Sequence, residues 1–187
     1  MFPLLFLACG RNRRCHHHNG HTCHRCRCCG RCCCRKSERQ GLSSFGGMWT
    51  GAESVAISEP DTFVDVPMYN AYPTQNIDIS GNGLEITQDG VYEVSYSMYG
   101  ASNAVTSATL AVLVNGSPAP GASLTKSILG AAGRTYNGSA MVTLFAGDRV
   151  TLGVSAAGPV QIGLGYDVGA SLTLKKLDGE MKAKPIH

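Results

Sequence analysis

From Phe45 onward the chain is written in short alternating runs. Tyr92, Val94, Tyr96 and Met98 fall on one side of an extended strand, with Glu93, Ser95 and Ser97 on the other. Leu110, Val112 and Val114 alternate with Thr109, Ala111 and Leu113. Ala140, Val142 and Leu144 alternate with Ser139, Met141, Thr143 and Phe145. Val150, Leu152 and Val154 alternate with Arg149, Thr151 and Gly153, and Ala170, Leu172 and Leu174 with Ser171, Thr173 and Lys175. No segment carries a convincing helical period. Turn signals separate the runs: Gly81-Asn82-Gly83, Asp89-Gly90, Asn115-Gly116, Asn137-Gly138 and Ala146-Gly147-Asp148. Gly and Asn supply the positive φ that hairpin turns demand. Short strands at this spacing predict an antiparallel sandwich or barrel.

Some runs are apolar on both faces. Met141 and Phe145 lie opposite Val142 and Leu144, and Leu113 lies opposite Val112 and Val114. A lone sandwich would show water its polar side, so this pattern predicts a covered outer face. A second subunit is the simplest cover.

Composition divides the chain. Residues 1–40 hold all nine cysteines, five of the six histidines, and nine basic residues against one acid, a net +8. Residues 41–187 hold seven basic residues against twelve acids, a net −5. The overall charge of +3 therefore hides two different polymers. The sequence predicts a Cys/His/Arg-rich head over 1–40 with too few apolar residues for a core, hence disordered. A Gly/Ser junction follows over 41–47, then one domain over 48–178 and a polar tail over 179–187. Met1 to Ala8 is an apolar tip, shorter than a membrane span, and no other stretch is long enough to cross a bilayer.

The head's ligands overlap in one run. Cys23, Cys26, Cys29 and Cys32 are spaced three apart, which lets two thiolates reach one tetrahedral metal. Cys15, Cys28, Cys33 and Cys34 add thiols, and His16, His17, His18, His21 and His24 add imidazoles; this donor set suits zinc or copper. A structural zinc site normally has separated ligand pairs around a small apolar core, which is missing here. Adjacent cysteines rarely pair with each other, and an odd count leaves one thiol over within a chain. Both facts favour bonds between chains. The flanking arginines lower thiol pKa values and raise reactivity. Intermolecular crosslinking leads, with metal binding and a solvated basic tail as alternatives.

Catalytic chemistry finds no footing in the body. It has no cysteine, and its one histidine is His187, so neither a Cys–His nor a Ser–His–Asp set can be assembled there. No phosphate-binding loop is present. Asp61, Asp65 and Asp78 fit no calcium-loop spacing and read as solvated acids. The acidic body does not suit nucleic acid. The basic head lacks the aromatics that stack on bases, so no specific nucleic-acid partner is expected.

The order of these pieces resembles a known domain. Phe45-Gly46-Gly47-Met48-Trp49, the stretch from Ile77 to Thr87, Gln88-Asp89-Gly90-Val91-Tyr92-Glu93-Val94-Ser95-Tyr96, the run from Leu110 to Gly116, Leu144 to Leu152, and Gly169 to Leu177 carry the likeness. Over residues 45–177 the chain resembles the C-terminal domain of BclA-type collagen-like spore-surface glycoproteins, a branch of the C1q/TNF-like jelly rolls. The resemblance implies an all-β jelly roll of about ten strands that forms a homotrimer. The strand from Val91 to Tyr99 and the last strand near Leu172 would lie close to the threefold axis. Tyr92, Tyr96, Tyr99, Met141, Phe145 and Leu172 become the interface candidates. The stretch before the domain has no Gly-X-Y repeat and so cannot form a collagen triple helix. The expected function is a non-enzymatic structural surface protein on a bacterial spore (the exosporium) or a cell. Its head would bond to other Cys-rich surface-layer proteins. The alternatives are a C1q-like ligand-binding or adhesin module, using loops such as Ser117 to Gly121 and Ala156 to Pro159 at one apex, and metal sequestration by the head.

Overall fold

The computed structural model describes residues 42–129 and 132–177. Thirteen strands run through them and there is no α-helix: β1 (Phe45–Thr50), β2 (Ser54–Ile57), β3 (Val64–Asp65), β4 (Asn70–Ala71), β5 (Ile77–Ser80), β6 (Gly83–Ile86), β7 (Gly90–Ser102), β8 (Val105–Val114), β9 (Ser117–Leu129), β10 (Arg134–Leu144), β11 (Arg149–Ala156), β12 (Val160–Leu164) and β13 (Ala170–Lys176). All pairings are antiparallel. The surplus over ten strands comes from short edge pieces such as β3 and β4, two residues each.

The first sheet is centred on β7. β10 pairs along one side of it; β13 and then β12 pair along the other, followed by β1 and β4 beyond β13 and by β2 beyond β12. The second sheet runs β5-β6-β11-β8-β9, with β3 on β11. Alternation explains how the sheets face each other. Tyr92, Val94, Tyr96 and Met98 of β7, with Leu172 and Leu174 of β13 and Met48 of β1, are buried from one side. Leu84, Leu110, Val112, Leu152 and Val154 are buried from the other. Each such side chain contributes about 1.5–3 kcal/mol on leaving water.

The turns carry the expected chemistry with one exception. Asn115 (φ 51°) and Gly116 (φ 82°) close the β8–β9 hairpin in the left-handed region. Asn115 also ties two elements together: its amide donates to Asp148 Oδ1 at 2.7 Å, and its Oδ1 accepts from the Arg149 N–H at 2.9 Å. Asn137-Gly138, expected as a turn, lies inside β10. Gly138 faces Tyr96, and a Cβ there would meet the Tyr96 hydroxyl at 2.6 Å. Its glycine makes room for a ring rather than for a bend.

The second expectation to change concerns the outer faces. Leu113 and Ala111 are buried within the protomer, and Leu113 lies across Gly153, where a Cβ would meet it at 2.5 Å. Thr151 on the same face of β11 is also buried and donates to Asp65 of β3 at 2.9 Å. That part of the two-faced pattern is satisfied within one protomer. Met141 and Phe145 are not covered in this way; they are 74% and 59% exposed.

Strand ends define two poles. At the near pole the chain comes in at Leu42, and the last strand returns beside it: the Lys176 N–H donates to Ser44 O, and the Leu177 N–H to Val91 O. The far pole gathers the β1–β2 connection, the ends of β7 and β12, and the β11–β12 loop.

Candidate functional site

Two surfaces of the domain stand out. The first is the outer face of the β10-β7-β13-β1 sheet. Because inward positions alternate with outward ones, the outward row reads Glu93, Ser95 and Ser97 on β7, Ser171, Thr173 and Lys175 on β13, and Ser139 and Met141 on β10. Ser97 and Ser171 hydroxyls pair at 2.8 Å, and Lys175 pairs with Glu93 at 3.8 Å. Most of these side chains are short, so the face is flat. Gly47 of β1 continues it, with Tyr72 so close that a Cβ would meet its ring at 3.0 Å. Apolar side chains stand at the margins: Met141 and Phe145 toward the near pole, Tyr99 toward the far pole.

The six interface candidates therefore divide. Tyr99, Met141 and Phe145 are exposed. Tyr92, Tyr96 and Leu172 are at most 5% exposed and belong to the protomer's own core. Tyr92 donates its hydroxyl to Gln88 O at 2.8 Å inside the fold. These three have almost no surface to offer a neighbour; the outward positions beside them on the same strands do. Burial also pushes the Tyr96 phenol up from its usual value. It pushes the Tyr136 phenol up to about 12, with Arg134 acting slightly against it. Tyr136 donates to Lys126 O at 3.1 Å, and the Lys126 ammonium lies 5.8 Å from the Tyr136 ring centre.

The second surface is the far pole. A groove of about 770 Å³ is lined by Glu53, Tyr99, Ala101, Leu164, Tyr166 and Asp167, among others. No lining residue is cationic, and Tyr166 is 93% exposed. A second cavity of about 450 Å³ lies between Ala104–Ser107 and Ala157–Val160. Sequence reasoning passed over the groove. The glycine-spaced loop Gly163-Leu164-Gly165-Tyr166-Asp167-Val168-Gly169 was its one local signal. The two loops expected at a single apex lie at opposite ends. Pairing of β8 with β11 sets Val114 beside Val150 and Ala108 beside Ala156. Ser117 therefore lies toward the near pole and the Ala156–Pro159 loop at the far one.

The head residues Cys15, Cys23, Cys26, Cys28, Cys29, Cys32, Cys33, Cys34, His16, His17, His18, His21 and His24 lie outside the described residues. Among the described residues no three metal-binding side chains cluster, and no helix is long and apolar enough to cross a membrane.

Two facing antiparallel sheets with this strand order make an all-β jelly-roll sandwich. The sequence matches the BclA C-terminal domain family over residues 48–178, and the chain belongs to that family. Among solved structures, it is similar to the Eiger TNF of S. frugiperda: 16% identity, 78% of this chain and 99% of that one, TM-score 0.49. It is likewise similar to murine APRIL at pH 8.0: 14% identity, 72% of this chain and 98% of that one, TM-score 0.49. No curated protein matches the sequence.

Proposed function

We propose that this chain is a structural protein of a bacterial spore surface, with a β domain that associates in threes and a head that crosslinks it into a Cys-rich layer. Membership of the BclA C-terminal domain family supports the surface role. The observation that carries the reading is segregation: all nine cysteines lie before the domain and none within it. A cysteine-free domain cannot be drawn into the thiol chemistry of its own anchor. Self-association is supported by the flat outer face of β7 and β13 and by Met141, Phe145 and Tyr99 exposed at its margins. Those positions replace the buried tyrosines as the contact set. Three joined chains raise the effective concentration of their heads, so individually reversible links become durable. The Arg residues around the cysteines keep part of the thiol population as thiolate, the species that exchanges disulfides. Electrophoresis of unreduced native material tests this: a ladder of covalent multimers is expected, and migration as a single chain without reductant would end the crosslinking idea.

A second reading, a ligand-binding module, is favoured by the far-pole cavity beside Ala157, Gly158 and Pro159, away from the pole where Leu42 comes in. A glycan and peptide binding screen separates it from a passive domain. Zinc or copper held by the head is the third reading. Metal analysis of anaerobically prepared full-length protein decides it.

A further inference from the structure

Among the described residues, one cationic side chain lacks an ion pair and a hydrogen bond. Of the five described Lys and Arg residues, Arg149 pairs with Asp65 at 3.6 Å and Lys175 with Glu93 at 3.8 Å. Lys126 donates to Thr135 O at 2.9 Å, and Lys176 to Gln88 Oε1 at 3.3 Å. The Arg134 side chain, exposed at the start of β10, makes no ion pair or hydrogen bond among the described residues; its one recorded interaction is electrostatic, with the Tyr136 phenol. The far-pole groove has the opposite shortage. Glu53 and Asp167 are both exposed, neither is in an ion pair among the described residues, and the exposed Tyr166 lines the same groove.

These features share one transverse row of the sheet. Arg134 pairs with Gly100 of β7, Gly100 with Leu164 of β12, and the Leu164 N–H donates to Glu53 O at 2.8 Å. Three strand spacings of about 4.8 Å separate the ends of that row, roughly 14 Å in all. A side chain cannot bridge them within one protomer. In a ring closed by rotation, one patch of each subunit meets a different patch of the next, and rotation about an axis along the strands preserves height. Arg134 stands on the edge strand β10, and the groove runs at the same height from Tyr99 on the neighbouring strand across to Glu53, which satisfies that condition.

We infer that Arg134 of one protomer occupies the Glu53–Tyr166–Asp167 groove of the next copy, so that the groove is completed only by the assembled ring. This rests on the three-chain reading above and assigns it a specific contact. The guanidinium gains two carboxylates and an aromatic face, a combination it matches better than an ammonium does. A neutral sugar would use the tyrosines but would leave the two carboxylates without a counter-charge.

The test is sedimentation equilibrium of the full-length protein in reductant, which keeps head disulfides from masking dissociation. Wild type is compared with Arg134→Glu, Arg134→Gln, Asp167→Lys, and the swap that combines Arg134→Glu with Asp167→Lys. Far-UV circular dichroism confirms that each is folded. Each single charge reversal is expected to raise the dissociation midpoint roughly tenfold or more, and the swap to recover most of it. Arg134→Gln should lie between wild type and reversal. If wild type is trimeric and the reversals leave it so, or the swap recovers nothing, the contact is overturned and the three-chain reading stands. If wild type is a single chain at every concentration, both are overturned.

Discussion

Leu172 and Met141 look alike as apolar interface candidates, yet the fold gives them opposite work. Leu172 is 1% exposed and lies beside Met48 on one strand and Tyr96 on the other. Leu172→Ala removes buried methyl groups and leaves a cavity between three strands, at a cost of about 2–5 kcal/mol. For a domain of this size that is a fall in Tm of roughly 8–20 °C. Met141 points outward, so Met141→Ala should change the stability of a separated chain by less than about 0.5 kcal/mol. Its effect should appear in assembly instead. Burying a Met side chain is worth about 1.5–3 kcal/mol, and most of Met141 is available for burial. Roughly 1–2 kcal/mol per subunit, three times around a ring, weakens the monomer–trimer equilibrium by about 10²- to 10⁴-fold. Urea unfolding at a concentration where chains are separate reads the first quantity; sedimentation over a concentration series reads the second. A loss of about 2 kcal/mol or more in separated Met141→Ala chains, or an unchanged midpoint for Leu172→Ala, would refute the division between core and surface.

Three further outcomes are expected. The Tyr136 phenol is raised in the folded state, so the unfolded chain ionises first as pH climbs past the ordinary tyrosine value; stability should therefore fall from about pH 10 toward pH 12. Tyr136→Phe should flatten that decline while costing about 1 kcal/mol at neutral pH for the bond to Lys126 O, both read by denaturant unfolding across pH. Asn115→Ala should cost about 1–3 kcal/mol, since it removes the links to Asp148 and Arg149 and places an alanine at positive φ; Asn115→Gly should recover the backbone part only, as thermal melts would show. Replacing Cys23, Cys26, Cys29 and Cys32 together by Ser should shorten the ladder of covalent multimers on unreduced gels while leaving the mass of the reduced species unchanged.

The alternation along β7, β8, β10, β11 and β13 was legible in the sequence because each of these strands has one face in the core. β9 was not, since Pro118 and Pro120 and a bulge between Ala111 and Leu113 blur its period near the hairpin. β3 and β4 are too short to have a period at all. The site was harder. A row of tyrosines on a strand looks the same whether it faces the opposite sheet or a neighbouring subunit, and only the position of the second sheet places Tyr92 and Tyr96 inside. Glu53, Tyr99 and Tyr166 come from three distant segments, and the pairing of β12 with β7 is what brings them to one groove. The head announced itself by composition, and the chemistry proposed for it rests on cysteine spacing rather than on the fold.

In the proposed function one part of the chain assembles and another part crosslinks. The direct test is the mass of the full-length protein, purified without reductant and measured before and after adding it. Covalent species larger than three chains are expected before reduction and a discrete three-chain particle after it. A single-chain mass in both conditions would contradict both expectations.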